Sequence, residues 1–210
     1  MSSLNIRRRA LMVCAVAAVV AAALWATAGI GGAAGTVPAD KVTVTGAKPD
    51  ITSAGSAPIT LLGPVQVRTA TPEDLVFHVT AECAILTTIT NTGNEVSSAS
   101  GQVRVWVEFD GQPVPVVPGH PGTGDNGKVV FCNREFRRTT AGLTPQETIT
   151  DYMNTREANG FNWASLDSGN GIHTIEVKGD FTKTATNGMA DAVIGNRTLV
   201  VEPTKVQSQP

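Results

Sequence analysis

No acidic residue precedes Asp40, a single tyrosine is present, aromatic residues make up only 5% of the 210-residue chain, and charged residues only 16%. So little charge excludes an acidic disordered chain and a coiled coil, which draws about half its residues from Ala, Glu, Lys, Leu and Arg. Several catalytic signatures are missing too. There is no Gly-x-Ser-x-Gly elbow for a serine hydrolase, and no glycine loop between a strand and a helix to cradle a phosphate. Asp125-Asn126-Gly127 lacks the spaced carboxylates of a calcium loop. Glu82, Glu108, Asp151 and Glu176 are isolated acids, whose pairing as in a glycosidase no spacing reveals.

The acid-free start has a pattern of its own. Arg7, Arg8 and Arg9 precede an uninterrupted apolar run over 10–25, and Ala26-Thr27-Ala28 offers the small residues that a signal peptidase reads. Residues 1–28 are therefore expected to be an export signal, cleaved before Gly29. Residues 10–28 are also long enough to stay in a membrane as an anchor, the one membrane contact expected of the chain. Arg8-Arg9 permits twin-arginine export as well as the general route. Without this segment and its three arginines, 13 basic residues face 18 acidic ones, a charge of −5. A nucleic-acid role lacks its electrostatic footprint, because the tight basic cluster is only Arg134, Arg137 and Arg138.

Residues 29–57 are mostly Gly, Ala, Ser, Thr and Pro and read as a flexible stalk, with a short strand conceivable over 41–45. Residues 58–203 are enough for one core, and 204–210 read as a loose tail. Within 58–203 the apolar period is two. Val103, Val105, Val107 and Phe109 share one face of a strand, with Gln102, Arg104, Trp106 and Glu108 on the other. Asp110-Gly111 then marks a hairpin turn. Leu75, Phe77, Val79, Ala81 and Cys83 likewise share a face, in a strand expected to run past a bulge to Thr90 and stop at Asn91-Thr92-Gly93-Asn94. Further strands are expected over 59–69, 128–139, 147–153, 172–181 and 193–202, and a helical turn between Asn154 and Leu166, where alternation fails. The fold class is all-β: an antiparallel sandwich of about seven strands.

The passages Leu143-Thr144-Pro145-Gln146-Glu147-Thr148-Ile149 and Gly171-Ile172-His173-Thr174-Ile175-Glu176-Val177 resemble bacterial immunoglobulin-like and fibronectin-type-III-like modules of exported proteins. The resemblance covers roughly residues 75–202. It implies an immunoglobulin-like sandwich, with His173 where such modules place a corner tyrosine that hydrogen-bonds back to the preceding loop. It implies nothing about chemistry.

Of three cysteines, Cys14 leaves with the signal, and Cys83 and Cys132 remain, each on an apolar strand face. In an oxidising compartment the simplest outcome is one disulfide. The alternatives are a metal ligand or a nucleophile. A sortase-like cysteine transpeptidase or a hydrolase would use Cys132, with His78 and one of the three arginines, although Val129-Val130-Phe131 is not the strand that precedes such a cysteine. A cupredoxin-like copper site would need His78, His120 and His173, which are scattered. No metal and no cofactor are expected.

The remaining candidates are aromatic: Trp106, Tyr152, Phe161 and Trp163. Trp106, between Arg104 and Glu108, and Trp163, in the irregular stretch, would form a binding surface for a sugar ring or a peptide if exposed. The alternative is that Trp106 is covered by 112–117 and that Phe161 and Trp163 plug one end of the sandwich. Loop 112–127 is the best place for recognition on a sandwich end. The sequence thus points to a non-enzymatic module, secreted or held at the cell surface, that binds an extracellular protein or glycan or plays a structural part there.

Overall fold

The structure, a computed structural model, describes residues 37–38, 42–46, 50–52, 57–69, 73–116 and 126–204. The expected signal or anchor, the loop around His120 and the tail beyond Thr204 lie outside the described residues. Eleven strands follow in order: β1 (Val37–Pro38), β2 (Val42–Gly46), β3 (Asp50–Thr52), β4 (Ile59–Thr69), β5 (Asp74–Thr92), β6 (Val96–Phe109), β7 (Gln112–Pro113), β8 (Val129–Thr139), β9 (Thr148–Ser165), β10 (Gly171–Thr186) and β11 (Gly188–Thr204). They form two sheets. The first runs β1-β4-β10-β6, with β7 and β8 both on the far side of β6; the second runs β11-β5-β9, with β2 and β3 on the outer side of β11. The long strands pair antiparallel throughout, which gives a sandwich.

Period-two patterning decides which residues lie between the sheets. In β5 every odd position from Leu75 to Asn91 is buried and every even position is not. In β6 the residues Ala99, Val103, Val105 and Val107 point inward and are fully buried. Trp163, Phe77, Ile85, Ile175 and Leu199 complete the densest part of the core, and each contributes roughly 1.5–3 kcal/mol by leaving water. Inward positions of β11 change parity along the strand, from Ala190, Ala192 and Ile194 to Leu199 and Val201. A one-residue slip would turn one half to solvent, so a bulge between Ile194 and Arg197 resets the face. The bulge expected in β5 therefore lies in its partner: β5 pairs with β9 without a shift from Leu75 to Thr92.

Two further expectations are corrected. Residues 148–165 form one strand, so no helical turn interrupts 154–166. β9 is an edge strand that buries few side chains deeply, and polar residues occupy both of its faces, which erases the alternation. The stretch read as a stalk contributes more than the short strand conceivable over 41–45, which β2 bears out: β2 and β3 both pair with β11, and β1 pairs parallel with β4. Val42, Thr43, Val44 and Thr45 are β-branched residues beside an open sheet edge, and they add to it despite the glycine-rich surroundings. Among the described residues, sheet-forming chain is thus present from Val37, ahead of the boundary expected at Pro58.

At the register shift between β4 and β10, Gly63 has φ +97°, and a Cβ there would stand 2.7 Å from the Ile175 carbonyl oxygen. Gly63→Ala should cost roughly 2 kcal/mol, from left-handed strain and a backbone clash. Urea titration checks this; an unchanged midpoint would mean that the register shift relaxes freely.

Candidate functional site

Cys83 in β5 and Cys132 in β8 form a disulfide that ties the second sheet to the first, with Cα atoms 6.2 Å apart. Both are buried, at 1% and 8% exposure. A sulfur held in this bond is not a thiolate, so the nucleophile that the transpeptidase reading assigns to Cys132 is absent in this state. In front of the bridge, the edges of β8 and β9 are joined by side chains. Arg138 pairs with Asp151, Arg134 Nη2 meets Met153 Sδ at 3.2 Å, and Asn159 Nδ2 donates to the Phe131 carbonyl at 2.5 Å. Two of the three clustered arginines are thus turned into this seam, while Arg137 is exposed.

Arg104, Trp106 and Glu108 lie on the outer face of the first sheet, as the alternation predicts. Trp106 is nevertheless only 2% exposed and stands apart from the inter-sheet core. Its cover includes a charged side chain: Lys128 Nζ sits 4.2 Å from the ring centroid. The same ammonium is 2.8 Å from Asp180 Oδ2, and Arg104 grips Asp180 in a two-pronged pair at 2.7 and 2.8 Å. Burial alone would push the Asp180 carboxyl up, but the hydrogen bonds and charges of Arg104 and Lys128 outweigh it and hold the group below its ordinary value. Trp106 Nε1 donates to Glu108 Oε1 at 3.0 Å, and Lys178 reaches both Glu176 and Glu108. Trp163 lies elsewhere: it is 1% exposed in the core, stacks near Phe131 and Phe161, and donates to the Gly127 carbonyl at 2.8 Å. The two tryptophans share no surface, and neither offers an open ring.

Further along the same outer face, an open cleft of about 610 Å3 crosses β8, β6 and β10. Ser100, Gln102, Asn133, Glu135, Thr182 and Thr184 line it. Ser100 and Thr184 already satisfy each other at 2.6 Å.

The exposed aromatic is on the opposite sheet. Tyr152 is 76% exposed, and with it Met189 at 50% and Leu86 at 38%. Registers place all three on the outer face. Thr88 has Tyr152 on one side and Met189 on the other, and the next row holds Asn154, Leu86 and Asp191. These rows are about 7 Å apart, two residues along a strand. A third row brings Arg156, Ala84 and Val193. Arg156 pairs with Glu82, whose carboxyl it pulls below the ordinary range with help from Asn196. In the sequence, Leu86 alone marks this place, a large apolar residue on the outward register of β5; a single exposed leucine is ordinary, and only its grouping with Tyr152 and Met189 makes a patch.

At one end of the sandwich, His173 Nδ1 lies 2.7 Å from Asp110 Oδ2 and Nε2 lies 3.1 Å from Thr69 Oγ1. The order carboxylate, imidazole, hydroxyl is that of an activated nucleophile. Thr69 is completely buried, however, and its oxygen is 2.6 Å from the Gly169 carbonyl, so no substrate reaches it and its proton is already directed. The histidine reaches the preceding loop only through Thr69, whose hydroxyl meets the Gly169 carbonyl. His78 hydrogen-bonds Asn162 at 2.9 Å on the outer face of the second sheet, whereas Cys83 of the same strand points into the core and is held in the disulfide. Among the described residues no three His, Cys, Asp or Glu side chains gather where a metal could be held.

No protein-family model matches the chain, and no curated protein matches it. Solved structures with a detectable likeness include the VP2 subviral particle of infectious bursal disease virus, at 13% identity over 78% of this chain with a TM-score of 0.29. The coat protein of tobacco streak virus matches at 10% identity over 83% of this chain and 93% of its own, with a TM-score of 0.23. A CocE/NonD family hydrolase from Staphylococcus aureus matches at 9% identity over 75% of this chain and 33% of its own, with a TM-score of 0.20. The chain spans about a third of the length of the VP2 protein. At these scores the likenesses carry neither fold nor function to this chain.

Proposed function

We propose that this protein is an exported, non-enzymatic binding module that engages an extracellular protein through the outer face of its second sheet. The observation that carries this is the group Tyr152, Leu86 and Met189, three large side chains held side by side in water on adjacent strands. Tyrosine and methionine are enriched at the centres of protein interfaces, and an exposed tyrosine buries much area at low entropic cost. Arg156, Asn154 and Asp191 supply a polar rim. The disulfide fits an oxidising compartment, and the basic, apolar, small-residue sequence of 1–28 fits export, with release or retention at the cell surface.

The immunoglobulin-like reading has partial support in strand order. The second long strand (β5) pairs with the fifth (β9), and the third (β6) with the sixth (β10), as in that arrangement; the first and last long strands have exchanged sheets, β4 running beside β10 and β11 beside β5.

Tyr152→Ser should weaken binding of the purified, oxidised protein to the envelope and secreted proteins of its source at least about tenfold. Its far-ultraviolet circular dichroism and melting temperature should stay unchanged, because the side chain supports nothing beneath it. Undiminished binding by a folded Tyr152→Ser protein would remove the patch from the function.

A further inference from the structure

Thr69 has one hydroxyl proton, and its Oγ1 stands 2.6 Å from the carbonyl oxygen of Gly169, a group that can only accept. With that proton committed, the 3.1 Å contact between Thr69 Oγ1 and His173 Nε2 needs a proton on the nitrogen. On the other side of the ring, Nδ1 is 2.7 Å from Asp110 Oδ2, and an ionised carboxylate also only accepts. All three bonds are made together only when both ring nitrogens donate. We propose that His173 is a pH-sensitive clamp, whose doubly protonated ring ties the end of β4, the turn at 110–111 and the loop at 166–170 to β10, and whose neutral ring releases one of those ties.

The other members are fixed independently of the ring's charge. Asp110 Oδ1 accepts the Thr174 N–H at 2.7 Å, and the Asp110 N–H donates to the Thr174 carbonyl at 2.8 Å, so the carboxylate is already aimed when the ring meets it. Phe109 stacks on the imidazole with centroids 4.7 Å apart, which sets the ring plane. The histidine side chain is 13% exposed, enough for proton exchange with solvent. The charged groups at this end are carboxylates: Asp110 from the turn, Asp167 from the loop, and Glu73 and Asp74 ahead of and at the start of β5, with Asp74 Oδ1 accepting the Asp167 N–H. From β4 the ring meets Thr69; Arg68 is exposed on the other face of that strand, and Glu176 of β10 faces outward with Lys178.

The sign follows from the donor count. The bond set is complete where Asp110 is ionised and the imidazole holds two protons. It is broken as pH rises and the ring becomes neutral, because Thr69 must then turn its proton from Gly169 to Nε2 or leave the nitrogen unpaired. Across the pH range in which the ring resonances of His173 are seen to change, the melting temperature of the wild-type protein should fall by about 3 °C more than that of His173→Gln, which lacks the imidazole. Thr69→Val, which keeps the ring, should lose the same extra slope. In spectra of the wild-type protein the amide signals of Gly169 and Thr174 should move with the ring resonances of His173. Parallel pH profiles for wild type and the variants would overturn the clamp. So would a ring that titrates while the Gly169 amide stays still, a result readable even if His173→Gln fails to fold.

Discussion

Cys83→Ser should lower the stability of the oxidised protein by about 4 kcal/mol, and its melting temperature by roughly 10 °C. The cross-link spans 49 residues, so breaking it returns the closure entropy of a long loop to the unfolded chain. Position adds to this. The bridge joins β5, in the middle of the second sheet, to β8, the edge of the first, at the seam where side chains alone connect the two sheets. Without it, β8 retains its pairing with β6 but loses its covalent cross-link to the middle of the second sheet. Reduction of the wild-type protein should reproduce the variant's midpoint. Identical melting with and without reductant would mean that the bridge does not hold the sandwich together in solution.

Asp180→Asn should cost roughly 3 kcal/mol, because it leaves Arg104 and Lys128 without the buried carboxylate that both contact. The loss is expected at the lower end for a buried pair, since the Arg104 and Lys128 side chains retain 33% and 22% exposure. The substitution also frees Lys128 from its position over Trp106, so tryptophan fluorescence should shift to the red before global unfolding. The same network sets an acid limit. Asp180 is depressed in the folded protein, so its contribution is present above the ordinary carboxylate range near pH 4 and is lost as pH falls through the lower folded value. The wild type should lose stability over that interval, and Asp180→Asn should show a flatter acid profile. An Asn variant with wild-type stability and unshifted fluorescence would mean that the ion cluster is ornamental and that Trp106 is held by packing.

The β6 register was legible over 102–109, where Val103, Val105, Val107 and Phe109 alternate with Gln102, Arg104 and Glu108. Burial of Trp106 was one of the two outcomes the sequence allowed, and what could not be read was its cover: Lys128 lies over the ring from 22 positions away, held by Asp180 of β10, and no local pattern announces a charge laid over a ring. The inward face of β5 was legible for the same reason as β6. β9 was not, because an edge strand with polar residues on both faces has no period to detect. The candidate surface shows the same limit. Trp106 stood out as a large aromatic in a polar register, whereas Tyr152 lies in a strand whose register was obscure, and only its pairing with Thr88 shows that it faces water beside Met189 and Leu86. The Cys83–Cys132 bridge was legible from counting, since removal of the expected signal would leave two cysteines, both on apolar faces.

Oxidative footprinting of side chains tests the central claim most directly, because the protein carries its own reporters. Tyr152 and Met189 are exposed on the outer face of the second sheet, and Met153, 39% exposed, points from the same strand as Tyr152 into the seam with β8. When the oxidised protein is bound to the proposed extracellular partner, Tyr152 and Met189 should be protected from oxidation and Met153 should react as in the free protein. Protection of Met153 with Tyr152 and Met189 unchanged would place the partner on the seam and contradict this account.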